Sequence, residues 1–374
     1  MTQTYTLVRR IADIDAAQWN DLAGDHPVVS HDYLHALEAT GCASEDTGWL
    51  PHHLLLHHNG KLCAAMPMYL KTHSRGEYVF DHIWAQAYQR HGLPYYPKLL
   101  SAIPFTPVPG PRLLAHSHAD RVLLARKAAE ITAQNNISSL HVLFPTEQDL
   151  AALQEAGFLL RENVQFHWFN QGYKTLDDFL ATLSQKHRKK IRQDSKKAIQ
   201  AGVSFRWLRG SDINADTLAF FYRCYHQTYI EHGNLPYLSL EFFQRLLDTM
   251  ADKVLIVLAE QQGVAIAAAL NLLSRTHMYG RYWGSTQYIP GLHFETCYTQ
   301  GIHYCIAHGL QVFEGGAQGE HKLSRGLLPV STRSAHWISD ARYTQAISEF
   351  LDMETPAIHA YRDELHEHSP FKKT

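Results

Sequence analysis

Glu320, His321, Lys322 and Arg325 follow directly on residues 315–319, where three positions of five are glycine. A carboxylate and an imidazole pass protons, and an ammonium and a guanidinium hold negative charge. Glycine lets the backbone approach a ligand closely and take angles that other residues resist. The stretch opens on the apolar residues Leu310, Val312 and Phe313. A buried strand that runs into glycines and then into titratable groups is a frequent way for an α/β protein to build a site. The alternative is a solvated loop turning a corner, because loops are polar by default.

Two further clusters carry chemistry. Lys71, His73, Ser74 and Glu77 precede Asp81, His82 and Trp84, and Tyr96 and Lys98 follow. Read functionally the cluster recognises a substrate; read structurally it is a buried network in which Glu77 pairs with Lys71 or Arg75. In residues 184–197, SQKHRKKIRQDSKK, the apolar Ile191 continues a helical spacing set by Phe179 and Leu183, so one face can pack. Lys186, Arg188, Lys189, Lys190, Arg192, Lys196 and Lys197 crowd the remainder. Such a density of like charge suits an opposing anion: phosphates of a tRNA, a nucleotide carrier or a lipid headgroup. A merely solvated face is the alternative.

The elements that must position these groups are legible from caps and turns. Asp15 and Ser30 each precede a short helical pattern that stops at a glycine, Gly24 and Gly41. Asn59-Gly60 between apolar runs predicts a hairpin, and residues 77–81 read as the strand that follows it. Residues 84–115 hold six prolines with Tyr88, Tyr95, Tyr96 and Phe105 between them, which predicts an ordered, proline-braced excursion. A helix over 119–134, a strand over 139–144, a helix from Thr146 to Gly157 and a strand over 158–169 follow. In the second half, residues 254–283 repeat the hairpin and its next strand, residues 293–308 the helix and residues 310–313 the strand. Gly263 follows Gly60 by 203 residues, whereas Leu310 follows Leu140 by 170; the 33-residue difference is the proline-rich excursion. A duplicated domain is the economical reading. Thr355 and Pro356 are expected to cap and start a terminal helix.

Composition sets the outer bounds. At 374 residues two domains are expected, and a net charge of −2 excludes a globally basic nucleic-acid binder. The five cysteines form no CxxC pair, so neither a disulfide framework nor a zinc ribbon is indicated. His52-His53 and His57-His58 alternate on strand-like sequence and no HExxH occurs, so no metal site is expected. The opening MTQTYTLVRRIADID lacks the long apolar run of a secretory signal, and residues 260–263 break the most apolar window, so a cytoplasmic protein without a membrane span is expected.

The tracts YLKTHSRGEYVFDHIWAQAY, YYPKL and PFTPVPGPRLL, with GGAQGEHKLSRGLLP in the second half, resemble the FemAB-like family of N-acyltransferases, and the likeness runs over nearly the full chain. The run from Ser184 to Arg192 is similar to the segment opening the second domain of the FemAB bridge-forming enzymes, which lengthen a cell-wall peptide from aminoacyl-tRNA. The resemblance implies an α/β (α+β) fold of two tandem GNAT-like domains, mixed sheets flanked by helices. Residues 1–170 would form the first, with the insertion 84–115, and residues 171–374 the second, with the basic helix 184–197 and a C-terminal helix. The activity it implies is transfer of an acyl or aminoacyl group from an activated carrier, aminoacyl-tRNA or acyl-CoA, to an amine on a small molecule, peptide or cell-wall precursor. No tightly bound cofactor is implied. In that chemistry Glu320 or His321 takes the amine proton, and the glycine backbone with Lys322 stabilises the oxyanion. Arg325 clamps an anionic group, Arg281, Tyr282 and Trp283 line the cleft, and the Lys71 to Lys98 cluster recognises the acceptor. GNAT enzymes seat coenzyme A on a Q/RxxGxG/A turn, but residues 287–292 of this chain hold one glycine and a proline. A non-catalytic peptide- or carrier-binding scaffold, or an acetyltransferase with an altered pyrophosphate loop, are the competing readings.

Overall fold

A computed structural model describes residues 2–316 and 319–372. Its first elements are β1 (Gln3–Val8), α1 (Ala16–Ala23), α2 (His31–Ala39), β2 (Trp49–Pro51), β3 (His53–His58), β4 (Lys61–Met66) and β5 (Tyr69–Lys71). Then come α3 (His82–Arg90), β6 (Lys98–Ser101), β7 (Leu114–Ala115), α4 (His118–Gln134), β8 (Ser139–Leu143), α5 (Glu147–Glu155) and β9 (Leu159–Phe169). The second half adds α6 (Leu176–Thr182), α7 (Gln185–Gln200), β10 (Val203–Arg209), α8 (Ala215–Glu231), α9 (Leu240–Met250), β11 (Val254–Gln261), β12 (Val264–Leu273) and β13 (His277–Ser285). It closes with α10 (Leu292–Phe294), α11 (Gln300–Ala307), β14 (Val312–Glu314), β15 (Leu328–Ile338) and α12 (Ala341–Glu367).

The chain divides into two compact units, Met1–Asn163 with Ser331–Tyr361, and Val164–Val330 with Arg362–Thr374. A boundary at residue 170 misses the return of residues 331–361 to the first unit. Two features bring them back: β15 pairs antiparallel with β8, and Tyr343, Ile347 and Leu351 of α12, one turn apart, pack on Trp84, Tyr88 and Tyr95.

In the first unit β1, β3, β4 and β7 form one sheet in that spatial order, and β15, β8, β6, β5 and β2 lie in another. The caps hold as read from the sequence: Asp15 accepts from Gln18 N–H and Ser30 from Tyr33 N–H, and Thr146 and Asp149 form a reciprocal capping box. Leu54, Leu56, Met66, Leu99, Leu124, Leu140 and Val142 form the core. Residues 77–81 are irregular, not the expected strand. Tyr78 has a φ of 63°, Gly76 packs against the Phe105 ring, and the Glu77 and Asp81 carboxylates both turn onto one buried lysine. A second correction concerns α12, which starts at Ala341, so Pro356 lies inside it. The apolar spacing of its first three turns decides the helix and outweighs the hydrogen bond that proline removes.

In the second unit the spatial order is β10, β11, β12, β13, β14, β9, with the first four antiparallel. β13 and β14 run parallel from His277↔Val312 to Tyr279↔Glu314 and then part. The first unit holds the same arrangement, a hairpin followed by a strand, a helix and a parallel strand, with β6 and β8 as the parallel pair from Leu99↔Leu140 to Ser101↔Val142. The counterpart of β13 is therefore β6, inside the proline-rich excursion.

Candidate active site

β14 ends at Glu314, and the chain beyond it passes close against the Leu327 side chain. A Cβ on Gly315 would lie 2.5 Å from the Leu327 methyl. Ala317 and Gln318, within the expected glycine cradle, lie outside the described residues. Residues 320–325 then wind into a short 3-10 helix. Lys322 turns inward from it, 4% exposed, and its Nζ donates to the Gly316 carbonyl at 2.9 Å. Burial pulls this amine down to about 8. His321 faces outward, and its Nε2 lies 3.1 Å from the Tyr298 hydroxyl. Partial burial and the charges of Lys322 and Arg325 lower its pKa, so the ring is neutral at pH 7. Arg325 is 2% exposed, with its guanidinium 3.9 Å from the Phe294 ring centre and Nη2 2.8 Å from Asp194. Its Nε and Nη1 have no hydrogen-bond partner among the described residues. Glu320 is exposed at the start of the 3-10 helix.

Arg281 and Tyr282 sit on β13 past the point where it leaves β14. Tyr282 is buried against Tyr225 and Phe243, with the Arg281 guanidinium 4.9 Å over its ring. Trp283 packs on His293.

The turn where a GNAT enzyme would seat pyrophosphate precedes α10. Gly291 caps that helix at a φ of 88°, and a Cβ on it would lie 2.7 Å from the Asp194 carbonyl of α7. The helix start is thus packed against α7. We expect millimolar acyl-CoA to move the melting temperature by less than about 1 °C; a shift of several degrees would restore the acetyltransferase reading.

On α7, Ile191, Asp194 and Ala198 face inward. Lys186, Lys189, Lys190, Arg192, Lys196 and Lys197 are exposed and Arg188 half-buried. Arg192 pairs with Asp177 at 2.8 Å, and Lys197 stands 4.0 Å from Asp194. Lys186, Arg188, Lys189, Lys190 and Lys196 make no ion pair with a described residue, which leaves a stripe of uncompensated charge.

In the first unit the Lys71 to Lys98 cluster is a closed network. Lys98, fully buried, spends its three donors on Ser74 Oγ at 2.8 Å, Glu77 Oε2 at 2.7 Å and Asp81 Oδ2. Lys71 lies 3.7 Å over the Trp49 ring and 4.0 Å from Glu77. Burial lowers Lys71 to about 7 and raises Glu77 to about 7. Burial opposes the charge on both Lys98 and Asp81, but the carboxylates of Glu77 and Asp81 raise Lys98 and the Lys98 ammonium lowers Asp81. His73, Ser74 and Tyr96 are half-exposed, and Ser74 Oγ meets the Tyr96 hydroxyl at 2.8 Å. Trp84 is buried edge-on to His336.

Behind this network runs a hydrogen-bond chain. Tyr95 donates its one hydroxyl proton to Asp81 at 2.7 Å, so the 3.0 Å contact of His141 Nε2 with the Tyr95 oxygen takes a proton on Nε2, which also faces Ser139 Oγ at 2.8 Å. A neutral His141 is then bare at Nδ1, which lies 2.7 Å from His336 Nδ1. His336 therefore carries its proton on Nδ1 and accepts at Nε2 from Ser334, 2.8 Å away. Burial and the nearby Lys98 lower His141 to about 3, and burial with the facing His141 lowers His336 well below its ordinary value. Both shifts disfavour the charged form. As pH falls below about 6.5, the unfolded chain takes up protons that the folded pair refuses, and stability drops progressively toward pH 3. Side-chain nitrogen-15 spectra should show His141 protonated only at Nε2 and His336 only at Nδ1 at pH 5; a doubly protonated ring there contradicts the assignment.

Tyr298, Phe294, Asp194, His141 and His336 are site or network residues that a reading of the sequence passes over. A repeated signal is available for two: Ser139-x-His141 and Ser334-x-His336 place a serine and a histidine on one face of each of two strands. Tyr298 stands in a π-helical turn, residues 295–299, between α10 and α11, a local defect that often marks function but leaves no residue pattern.

Two units of mixed sheet, each with a hairpin and a parallel strand returned by a helix, define tandem GNAT-like halves. Solved structures share this fold across most of their length. FemX is 12% identical, with a TM-score of 0.55 over 93% of this chain and 100% of that one. L-PGS from Bacillus licheniformis is 9% identical, with a TM-score of 0.56 over 92% and 97%. The C-terminal domain of a candidate lysylphosphatidylglycerol synthetase from Agrobacterium fabrum is 10% identical, with a TM-score of 0.56 over 92% and 96%. A family model described as peptidoglycan biosynthesis/recognition matches residues 10–373, and the chain belongs to that family, the FemAB-like proteins. Comparison with curated proteins finds no match. Among the described residues no helix is long and apolar enough to cross a membrane, and no group of three metal-ligating side chains gathers.

Proposed function

We propose that the chain transfers an acyl or aminoacyl group from an activated carrier to an amine on a peptide or cell-wall precursor. The observation that carries the reading is Lys322, a buried ammonium held at the end of a parallel strand against a glycine carbonyl, with a neutral imidazole next to it in sequence. The amine nitrogen attacks the carbonyl carbon of the carrier ester, and the carbonyl oxygen takes the negative charge. Lys322 stabilises that oxygen. His321, neutral at pH 7, takes the proton the amine loses, with Glu320 as the other candidate. As the intermediate collapses, the carbon–oxygen bond to the carrier breaks and the departing hydroxyl takes that proton. Arg325 anchors an anionic group of the acceptor or carrier through its unpartnered donors.

The carrier that fits the exposed lysine stripe of α7 is RNA, charged with an amino acid. Lys186, Lys189 and Lys190 supply the phosphate contacts. The test is transfer of a labelled amino acid from charged RNA as a function of salt. Affinity should fall steeply with ionic strength, by about 0.7 in log–log slope per phosphate neutralised, and Lys189→Ala with Lys190→Ala should flatten the dependence. Transfer insensitive to salt and to those changes would remove RNA as the carrier. In the first unit Ser74, His73 and Tyr96 are the accessible groups of a separate candidate binding surface, with Lys98 holding Ser74 from behind.

A further inference from the structure

The second unit carries a groove of about 740 Å³ that the transfer chemistry does not use. One wall is the outer face of α8, with Arg223 and Gln227; the other is the end of β13 and the turn after it, with Ser285, Thr286, Gln287 and Tyr288. Three features of this place point one way. Tyr288 is 90% exposed, an aromatic ring held in solvent where burial would stabilise it. The polar groups around it are amides, hydroxyls and a guanidinium: Arg223 sits 5.6 Å over the Phe220 ring and makes no ion pair with a described residue. The carboxylate in the lining, Glu231, already accepts from Gln227 at 2.9 Å. Finally, the turn that bears Tyr288 is seated on the basic helix, because Ile289 packs in the cluster around Ala198 and Gly291 meets Asp194.

We infer that this groove is a nucleobase site, in which an unpaired base of a single-stranded nucleic acid stacks on Tyr288 and presents its edge to Gln287 and Arg223, its strand continuing onto the α7 lysines. From Lys186 to Lys197 the stripe runs about 16 Å at 1.5 Å per residue, room for two or three phosphates of an extended strand. Stacking platforms beside cationic tracks are the general means of holding single strands. A membrane surface fits less well, since a helix lying in lipid buries apolar residues along its outer face, and on α7 only Ile199 is a large apolar residue exposed there. The inference deepens the RNA-carrier reading above and rests on it.

The experiment is fluorescence anisotropy of labelled oligouridylate and oligoadenylate, about ten nucleotides long, with the full chain across a salt series. Tyr288→Ala should weaken binding about 5- to 150-fold, the range for loss of one stacked base, with the salt slope unchanged. Lys189→Ala with Lys190→Ala should instead lower the slope. If Tyr288→Ala binds as the unaltered chain does while the lysine variant is impaired, the base site is wrong and the carrier reading stands. If neither oligomer binds, or anionic phosphatidylglycerol vesicles bind through the same lysines in their place, base site and RNA carrier fall together. Transfer from a donor without RNA would then keep the transferase reading alive.

Discussion

Lys322→Met is expected to reduce transfer at least about a hundredfold, the usual cost of removing one donor from a developing oxyanion, while the melting temperature stays near that of the unaltered chain. Among the described residues the ammonium makes one hydrogen bond, to Gly316, and its burial already costs enough to lower the amine to about 8. An apolar side chain of similar length removes that cost and fills the same space, so loss of activity would not be loss of fold. The pH profile supplies an independent check. Transfer should rise on the acid side as His321 loses its proton, below the ordinary imidazole value, and fall on the alkaline side as Lys322 loses its own near pH 8. If transfer instead climbs through pH 8, Lys322 acts as the base and His321 does not.

Lys98→Met is expected to destabilise the first unit by about 3–5 kcal/mol, the cost of leaving a buried charge without its partner. Lys98 is the common partner of Glu77 and Asp81, and it also holds Ser74. Removing it leaves two buried carboxylates, with Lys71 4.0 Å from Glu77 and Tyr95 still donating to Asp81. Urea unfolding followed by tryptophan fluorescence reads the loss directly. The linkage has a definite sign. Asp81, lowered, contributes stability that is present above the ordinary carboxylate value and lost as pH falls from there toward its lower folded value. Lys98, raised, contributes stability that is present below the ordinary lysine value and lost above it. An unchanged unfolding midpoint for Lys98→Met would mean that the network is loosely held and open to solvent.

What the sequence discloses is what local rules govern. The caps of α1 and α2, the Asn59-Gly60 hairpin and the basic α7 all follow from neighbours within a few residues. The grouping of His321, Lys322 and Arg325 is legible because one short 3-10 helix carries all three. Residues 77–81 mislead because Tyr78, Val79 and Phe80, following the turn at Gly76, suggest a strand, whereas the long-range attraction of Lys98 for both carboxylates sets the backbone there. Pro356 reads as a helix start because proline favours the first turn, but the packing of Tyr343, Ile347 and Leu351 fixes α12 before the chain reaches it. His141 and His336 are 195 residues apart and meet only because β15 pairs with β8, in a register no local pattern reveals. The same pairing returns residues 331–361 to the first unit.

The most direct measurement is a single-turnover assay with the full chain, RNA charged with carbon-14 amino acids and a pool of peptide amines from cell-wall precursors. Label should move into an RNase-resistant, amide-linked product with the unaltered chain. With Lys322→Met it should stay on the RNA, while the RNA still binds. Equal amounts of amide product from both chains, or none from either with this donor and with acyl-CoA, would contradict the assignment of transfer chemistry to the turn after β14.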